Sequence, residues 1–115
     1  MDYTGEVAVG GPAQTRRLST LALTKVAVGP YDNNAYLLTC LATGEQVLVD
    51  AAAEPDRLLE LAGPGGLAGV VTTHRHADHW QALAAVVSAT GARTFAHADD
   101  ADSIPVESDV LVCSD

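Results

Sequence analysis

The sequence predicts an α/β (α+β) domain: one mixed β-sheet with two helices on one face. Three observations predict it. Apolar residues in the first half recur with a period of two, the signature of strands. After Asp50 two segments switch to helical spacing, each followed by a short apolar run. The element order is therefore a β-meander followed by β-α-β-α-β, and right-handed crossovers would place both helices on the same side of the sheet.

The elements follow in order. Residues 1–18 are rich in glycine and carry Gly10-Gly11-Pro12 and Arg16-Arg17. They read as a loosely held lead-in with a short strand near Val7 to Val9, ahead of a domain over 19–115. Residues 19–28 alternate through Leu21, Leu23, Val26 and Val28, a strand. The run from Gly29 to Asn34 is dense in turn formers, so Asp32, Asn33 and Asn34 read first as turn residues. Ala35 to Leu41 is a second strand and Ala42 to Glu45 a hairpin turn. Gln46 to Asp50 is a third strand whose continuous apolar run predicts deeper burial.

Glu54-Pro55 suits a helix start, with proline near the first helical position and acids in the first turn. Leu58, Leu59 and Ala62 share its apolar face, and Gly63-Pro64-Gly65-Gly66 ends it. Leu67 to Thr72 is a short buried strand. Trp80 to Thr90 is a second helix, with Trp80, Leu83, Val86 and Val87 as its stripe and Gly91 as its stop. Trp80 reads as part of that packing face rather than as a substrate platform. Thr94 to Ala96 is a last short strand. A sheet with apolar strands needs a second layer on its other face, and no further element of this sequence is predicted to supply it.

The 115 residues are enough for one domain and its core. With 48% hydrophobic but only 4% aromatic residues, Ala, Val and Leu must fill that core. The longest apolar run, Ala82 to Val87, is far short of a membrane span. The formal net charge of −9 repels phosphate backbones and argues against nucleic-acid partners. The last Lys or Arg is Arg93, and the charged residues beyond it are all Asp or Glu. The first residues have neither the basic start nor the apolar stretch of a signal peptide. Cys40 and Cys113 are accordingly expected to be free, buried thiols of a cytoplasmic protein. Arginine outnumbers lysine and alanine is abundant, a pattern of GC-rich bacterial genomes.

The chemistry is concentrated in Thr73-His74-Arg75-His76-Ala77-Asp78-His79-Trp80, which holds three of the four histidines. His74 and His76 are two apart, so in extended backbone leaving a strand both imidazoles point the same way and can reach one ion. Asp78 and His79 follow where the chain turns into the second helix and can serve a second ion. Imidazoles with one carboxylate suit Zn²⁺, with Fe or Mn as alternatives. Packing three imidazoles so closely is unfavourable once they charge, which favours neutral, ligating rings. Capping of the helix by Asp78 would not by itself require three histidines.

These residues resemble the T-H-x-H-x-D-H signature of the metallo-β-lactamase-fold superfamily, which includes glyoxalase-II-like thioesterases, lactonases and persulfide dioxygenases. The setting is similar too: an early meander, an aspartate closing a strand (VLVD, ending at Asp50), a helix, and a short strand running into the motif. Asn33-Asn34-Ala35-Tyr36-Leu37-Leu38 looks like the second strand of glyoxalase-II-like members. The likeness runs from about Leu21 to the end of the chain. It implies that His74 and His76 ligate a first metal and that Asp78 and His79 ligate a second, with Asp78 also taking the catalytic role. Asp50 would hydrogen-bond near the motif and orient it, or else serve as a strand-end turn residue. His97 matches no ligand position and reads as a surface or helix-start histidine.

Members of that superfamily usually run to roughly double this length, as an αββα sandwich. Their second half supplies a third histidine for the first metal, a bridging aspartate and a further histidine; here no histidine follows His97. The resemblance thus implies the N-terminal half of such a sandwich, with the remaining half-domain or a second copy of the chain covering the sheet. The expected activity is metal-dependent hydrolysis of a small ester, thioester or lactone, with the chain inactive alone. A non-catalytic metal-binding or dimerisation module and an iron-dependent persulfide dioxygenase are the alternatives.

Overall fold

A computed structural model describes residues 6–29, 33–73, 79–97, 101, 104, 108 and, for their backbone, 110–112. The strands are β1 (Gln14–Arg17), β2 (Leu21–Val28), β3 (Asn33–Cys40), β4 (Gln46–Val49), β5 (Gly69–Thr72), β6 (Arg93–His97) and β7 (Val110–Val112). Helix α1 (Pro55–Ala62) lies between β4 and β5, and α2 (Leu83–Thr90) between β5 and β6. All seven strands form one sheet in sequence order. Pairing is antiparallel from β1 to β4 and parallel from β4 to β7. The change occurs where the helices enter, because a parallel neighbour needs a crossover.

The helices touch one another and cover one sheet face. Val26, Val28, Ala35, Leu37, Leu48, Val70 and Ala96 from the sheet form one core with Leu58, Ala62, Leu83 and Val86 from the helices. Leu48, Leu58 and Leu83 are among the largest fully buried side chains, each contributing about 2 kcal/mol by leaving water. Pro55 starts α1 with φ already suited to helix, and Gly63 ends it, donating its N–H to the Leu59 carbonyl. The Gln46 side chain donates to the Ala62 carbonyl at 2.7 Å, which supplies one of the acceptor needs of that helix end.

The opposite face carries two rows that register sets side by side. One runs Arg16, Leu23, Leu38, Val47; the other runs Lys25, Tyr36, Val49, Val71, Phe95. Of these, only Arg16 is exposed and the rest are half-buried. The buried third strand of the sequence reading is therefore corrected. Within β4 only Leu48 is buried, because Val47 and Val49 point to a face that no described element covers.

Other boundaries shift for physical reasons. The early strand is Gln14–Arg17, not Val7 to Val9. Its polar side chains show no apolar alternation, and it is held by pairing with β2 and by the Thr15–Thr24 hydroxyl contact at 2.9 Å. The preceding segment is also tethered, since Arg57 donates to the Gly11 carbonyl at 2.7 Å. Helix α2 begins at Leu83 rather than Trp80, because the Ala82 amide donates to the Ala51 carbonyl across the chain. The three-residue β7 lies within the acidic end. Cys40 is free, as expected, but half-buried rather than buried; Cys113 lies outside the described residues. No described helix is long and apolar enough to cross a membrane.

Candidate metal centre

Strands β2, β4, β5 and β6 all run in the same direction, so their C-terminal ends share one end of the sheet. That end receives Gly29 after β2, Asp50 after β4, Thr73 after β5 and His97 at the close of β6. The end of a parallel sheet is where chains leave regular pairing and functional groups gather.

Asp50 is the pivot. Its amide donates to the Val71 carbonyl at 2.7 Å, extending the β4–β5 pairing by one step. Its backbone then turns left-handed, with φ of 62°, a conformation that aspartate tolerates better than most non-glycine residues. The residue is only 6% exposed, so its carboxylate must find donors inside the protein. It finds three. The Thr73 amide donates to Oδ1 at 2.7 Å and the Thr73 hydroxyl to Oδ2 at 2.6 Å. His79 Nδ1 stands 3.0 Å from Oδ2.

This contact fixes the chemistry of the His79 ring. A carboxylate accepts, so Nδ1 carries the proton and the lone pair of the neutral imidazole sits on Nε2. A histidine held through one nitrogen by a carboxylate, with the other basic, is the usual arrangement of a metal ligand. Thr73 and His79 also bracket the segment 74–78. Both ends of the histidine-rich segment are therefore tied to the same buried carboxylate.

Of the residues singled out from sequence, the structure brings Asp50 and His79 together. His74, His76 and Asp78 lie outside the described residues. Among the described residues, no group of three or more His, Cys, Asp or Glu side chains is placed to hold an ion. Trp80 packs against the core, as expected, although it precedes α2 rather than lying on its stripe. Sequence reasoning missed Thr73 as a double donor to Asp50. The signal was available, since Thr73 directly precedes the first histidine and a hydroxyl there can reach a neighbouring strand end.

Comparison with known proteins points to one family. A model of the metallo-beta-lactamase superfamily matches residues 28–110. A hydroxyacylglutathione hydrolase of Fuscovulum blasticum is 43% identical over 75 residues, covering 64% of this chain and 29% of the relative. One from Rhodospirillum rubrum is 35% identical over 91 residues, covering 76% of this chain and 34% of its own length. The chain thus spans about a third or less of the length of these curated relatives. Among solved structures, the BLEG-1 B3 metallo-beta-lactamase superposes with a TM-score of 0.67 at 20% identity, over 81% of this chain and 54% of that one. TTHA1623 in a di-iron-bound form gives 0.63 at 30% identity, over 76% and 53%. The family match over most of the chain, on a sheet of the same fold, establishes that this chain belongs to the metallo-beta-lactamase superfamily.

Proposed function

We propose that this chain carries the first metal-binding half of a hydrolase acting on a small ester, thioester or lactone. The observation that carries the reading is the Asp50 clamp on Thr73 and His79. In the neutral tautomer that this contact selects, Nε2 carries the lone pair at the end of the T-H-x-H-x-D-H segment. This donor set fits a borderline-soft divalent ion such as zinc. His74 and His76 would hold one ion, and Asp78 and His79 a second. The di-iron-bound neighbour makes iron the first alternative, and manganese suits the same donors.

When bound, such ions supply Lewis acidity, polarising a substrate carbonyl and making water nucleophilic near neutral pH. The residues of this chain do the positioning. Asp50 keeps the proton on His79 Nδ1 and so keeps Nε2 as donor. The Thr73 hydroxyl and amide anchor the carboxylate and fix where the segment leaves β5. Hydrolysis of a thioester is favoured among the substrates by the hydroxyacylglutathione hydrolase relatives. A catalytic zinc normally needs three protein ligands and an open position. His74 and His76 supply two, so turnover requires a further ligand and a layer over the apolar rows of β2 to β6. The remaining half-domain fits both needs; a second copy of the chain is the alternative partner.

The test is metal analysis of the purified protein together with assay on esters, thioesters and lactones. The expected result is metal-dependent turnover by the protein with its full ligand set, abolished by His76→Ala. Full metal occupancy with no turnover across that panel would favour a non-catalytic metal-binding module instead.

A further inference from the structure

We propose that Glu54 is a positioning residue, tying the exit of β2 to the loop that carries Asp50 so that the two move as one unit. The inference rests on the reading of Asp50 as the residue that orients the motif, and it concerns a group outside the motif.

Glu54 occupies the position before α1, where an acidic side chain would ordinarily cap the helix or complement its dipole. It makes no side-chain cap. Instead its Oε2 accepts the Gly29 amide at 2.7 Å, across 25 residues of sequence. Its own backbone is left-handed, with φ of 52°, a conformation that costs a non-glycine residue of order 1 kcal/mol. Asp50, at the other end of the same five-residue loop, is left-handed as well. The loop is thus bent at both ends.

Every part of the loop is engaged. Asp50 holds Thr73 and His79. The Ala51 carbonyl accepts the Ala82 amide at 2.9 Å. Ala51 and Ala52 are buried. Ala53 lies against Gly29, so closely that a Cβ on Gly29 would stand 2.8 Å from the Ala53 Cβ. Gly29 itself has φ of +79°, which only glycine adopts without strain. A glycine at that position serves both needs: the backbone conformation and the close approach that brings its amide to Glu54.

A merely local hydrogen bond would steady Gly29 alone. A bond acting through a rigid loop also steadies the far end, where the Thr73 amide meets Asp50. Amide hydrogen exchange of the 115-residue chain, without added metal, separates the two. Glu54→Ala should lower protection of the Gly29 amide by roughly tenfold or more, the loss expected for a charge-assisted bond. It should lower protection of the Thr73 amide by about threefold, although Thr73 does not bond to Glu54. Glu54→Gln keeps an acceptor of the same reach but loses the charge, and should lower Gly29 protection by only about threefold and Thr73 protection by less than Glu54→Ala does. Unchanged Gly29 protection in Glu54→Ala would overturn the proposal. So would loss at Gly29 with none at Thr73, which would make the contact local. Zinc binding is measured separately on the same proteins. A chain that shows the coupled loss but binds no zinc would refute the metal reading and leave this one standing.

Discussion

Replacing Asp50 with asparagine changes little volume and removes one charge, yet the geometry makes it a severe test. Oδ1 accepts from the Thr73 amide at 2.7 Å, so an asparagine carbonyl would take that place. Its NH₂ group then faces the Thr73 hydroxyl and His79 Nδ1, where Oδ2 had accepted at 2.6 and 3.0 Å. The hydroxyl can rotate and accept instead. The imidazole can only accept by moving its proton from Nδ1 to Nε2. That tautomer removes the lone pair that a metal needs. Loss of such an orienting partner typically weakens metal binding about 10- to 100-fold. The fold should tolerate the change. Loss of charge assistance in these bonds amounts to about 1–2 kcal/mol, a fall in Tm of roughly 4–12 °C for a domain of this size. Zinc titration against a competing chelator measures the affinity, and ¹⁵N spectra of the His79 ring report the tautomer. A folded Asp50→Asn protein that binds zinc within about twofold of the parent, with the proton still on Nδ1, would refute the reasoning.

Four further outcomes are expected. Thr73→Val removes the hydroxyl donor but keeps the amide, and should cost about 1 kcal/mol in denaturant unfolding, less than Asp50→Ala. Gly29→Ala places a methyl group 2.8 Å from the Ala53 Cβ at a positive φ, and should lower stability by about 1–3 kcal/mol, read as a lower midpoint in urea. Leu48→Ala, on the covered face with 0% exposure, should cost about 3 kcal/mol, while Leu38→Ala on the opposite face should cost about 1; equal costs would contradict the one-sided core. The Cys40 thiol is held below its ordinary pKa, first by the Thr43 side chain and then by the backbone amides of Thr43 and Ala42. The thiolate is therefore present at lower pH than in a free cysteine, and alkylation should level off at lower pH; Thr43→Val should move that plateau upward.

Much of this architecture was legible in the sequence, and the exceptions have causes. The Leu58 and Ala62 face of α1 and the Leu83 and Val86 face of α2 state which side is covered. The runs of β2 and β3 give the strands but not the side, because Leu21, Leu23 and Leu38 lie on the uncovered face while Val26, Val28 and Leu37 lie in the core. β1 was not legible, because Gln14–Arg17 carries no apolar residue and is held by its neighbour. The start of α2 was displaced by one long-range bond from Ala82 to Ala51, which no local pattern announces. Val47 and Val49 read as buried because their chemistry is apolar, although the surface they face is uncovered by any described element. At the site, the histidine spacing and the strand-end aspartate could be read directly. That Asp50 bonds near the motif could be expected, but which atoms it holds could not, since Thr73 and His79 reach it only once β4 and β5 lie in parallel register. The left-handed turn at Asp50 and the Glu54 contact with Gly29 were equally hidden, because each depends on segments more than twenty residues apart.

The central claim is that the segment from Thr73 to His79, clamped by Asp50, is a metal-binding unit. Zinc-edge X-ray absorption of the zinc-loaded chain tests it most directly. The expected spectrum has nitrogen and oxygen scatterers at about 2.0 Å with the outer-shell pattern of imidazole, and that pattern is lost when His74, His76 and His79 are all replaced by alanine. A zinc shell without imidazole scattering, or one unaltered by those replacements, would contradict it.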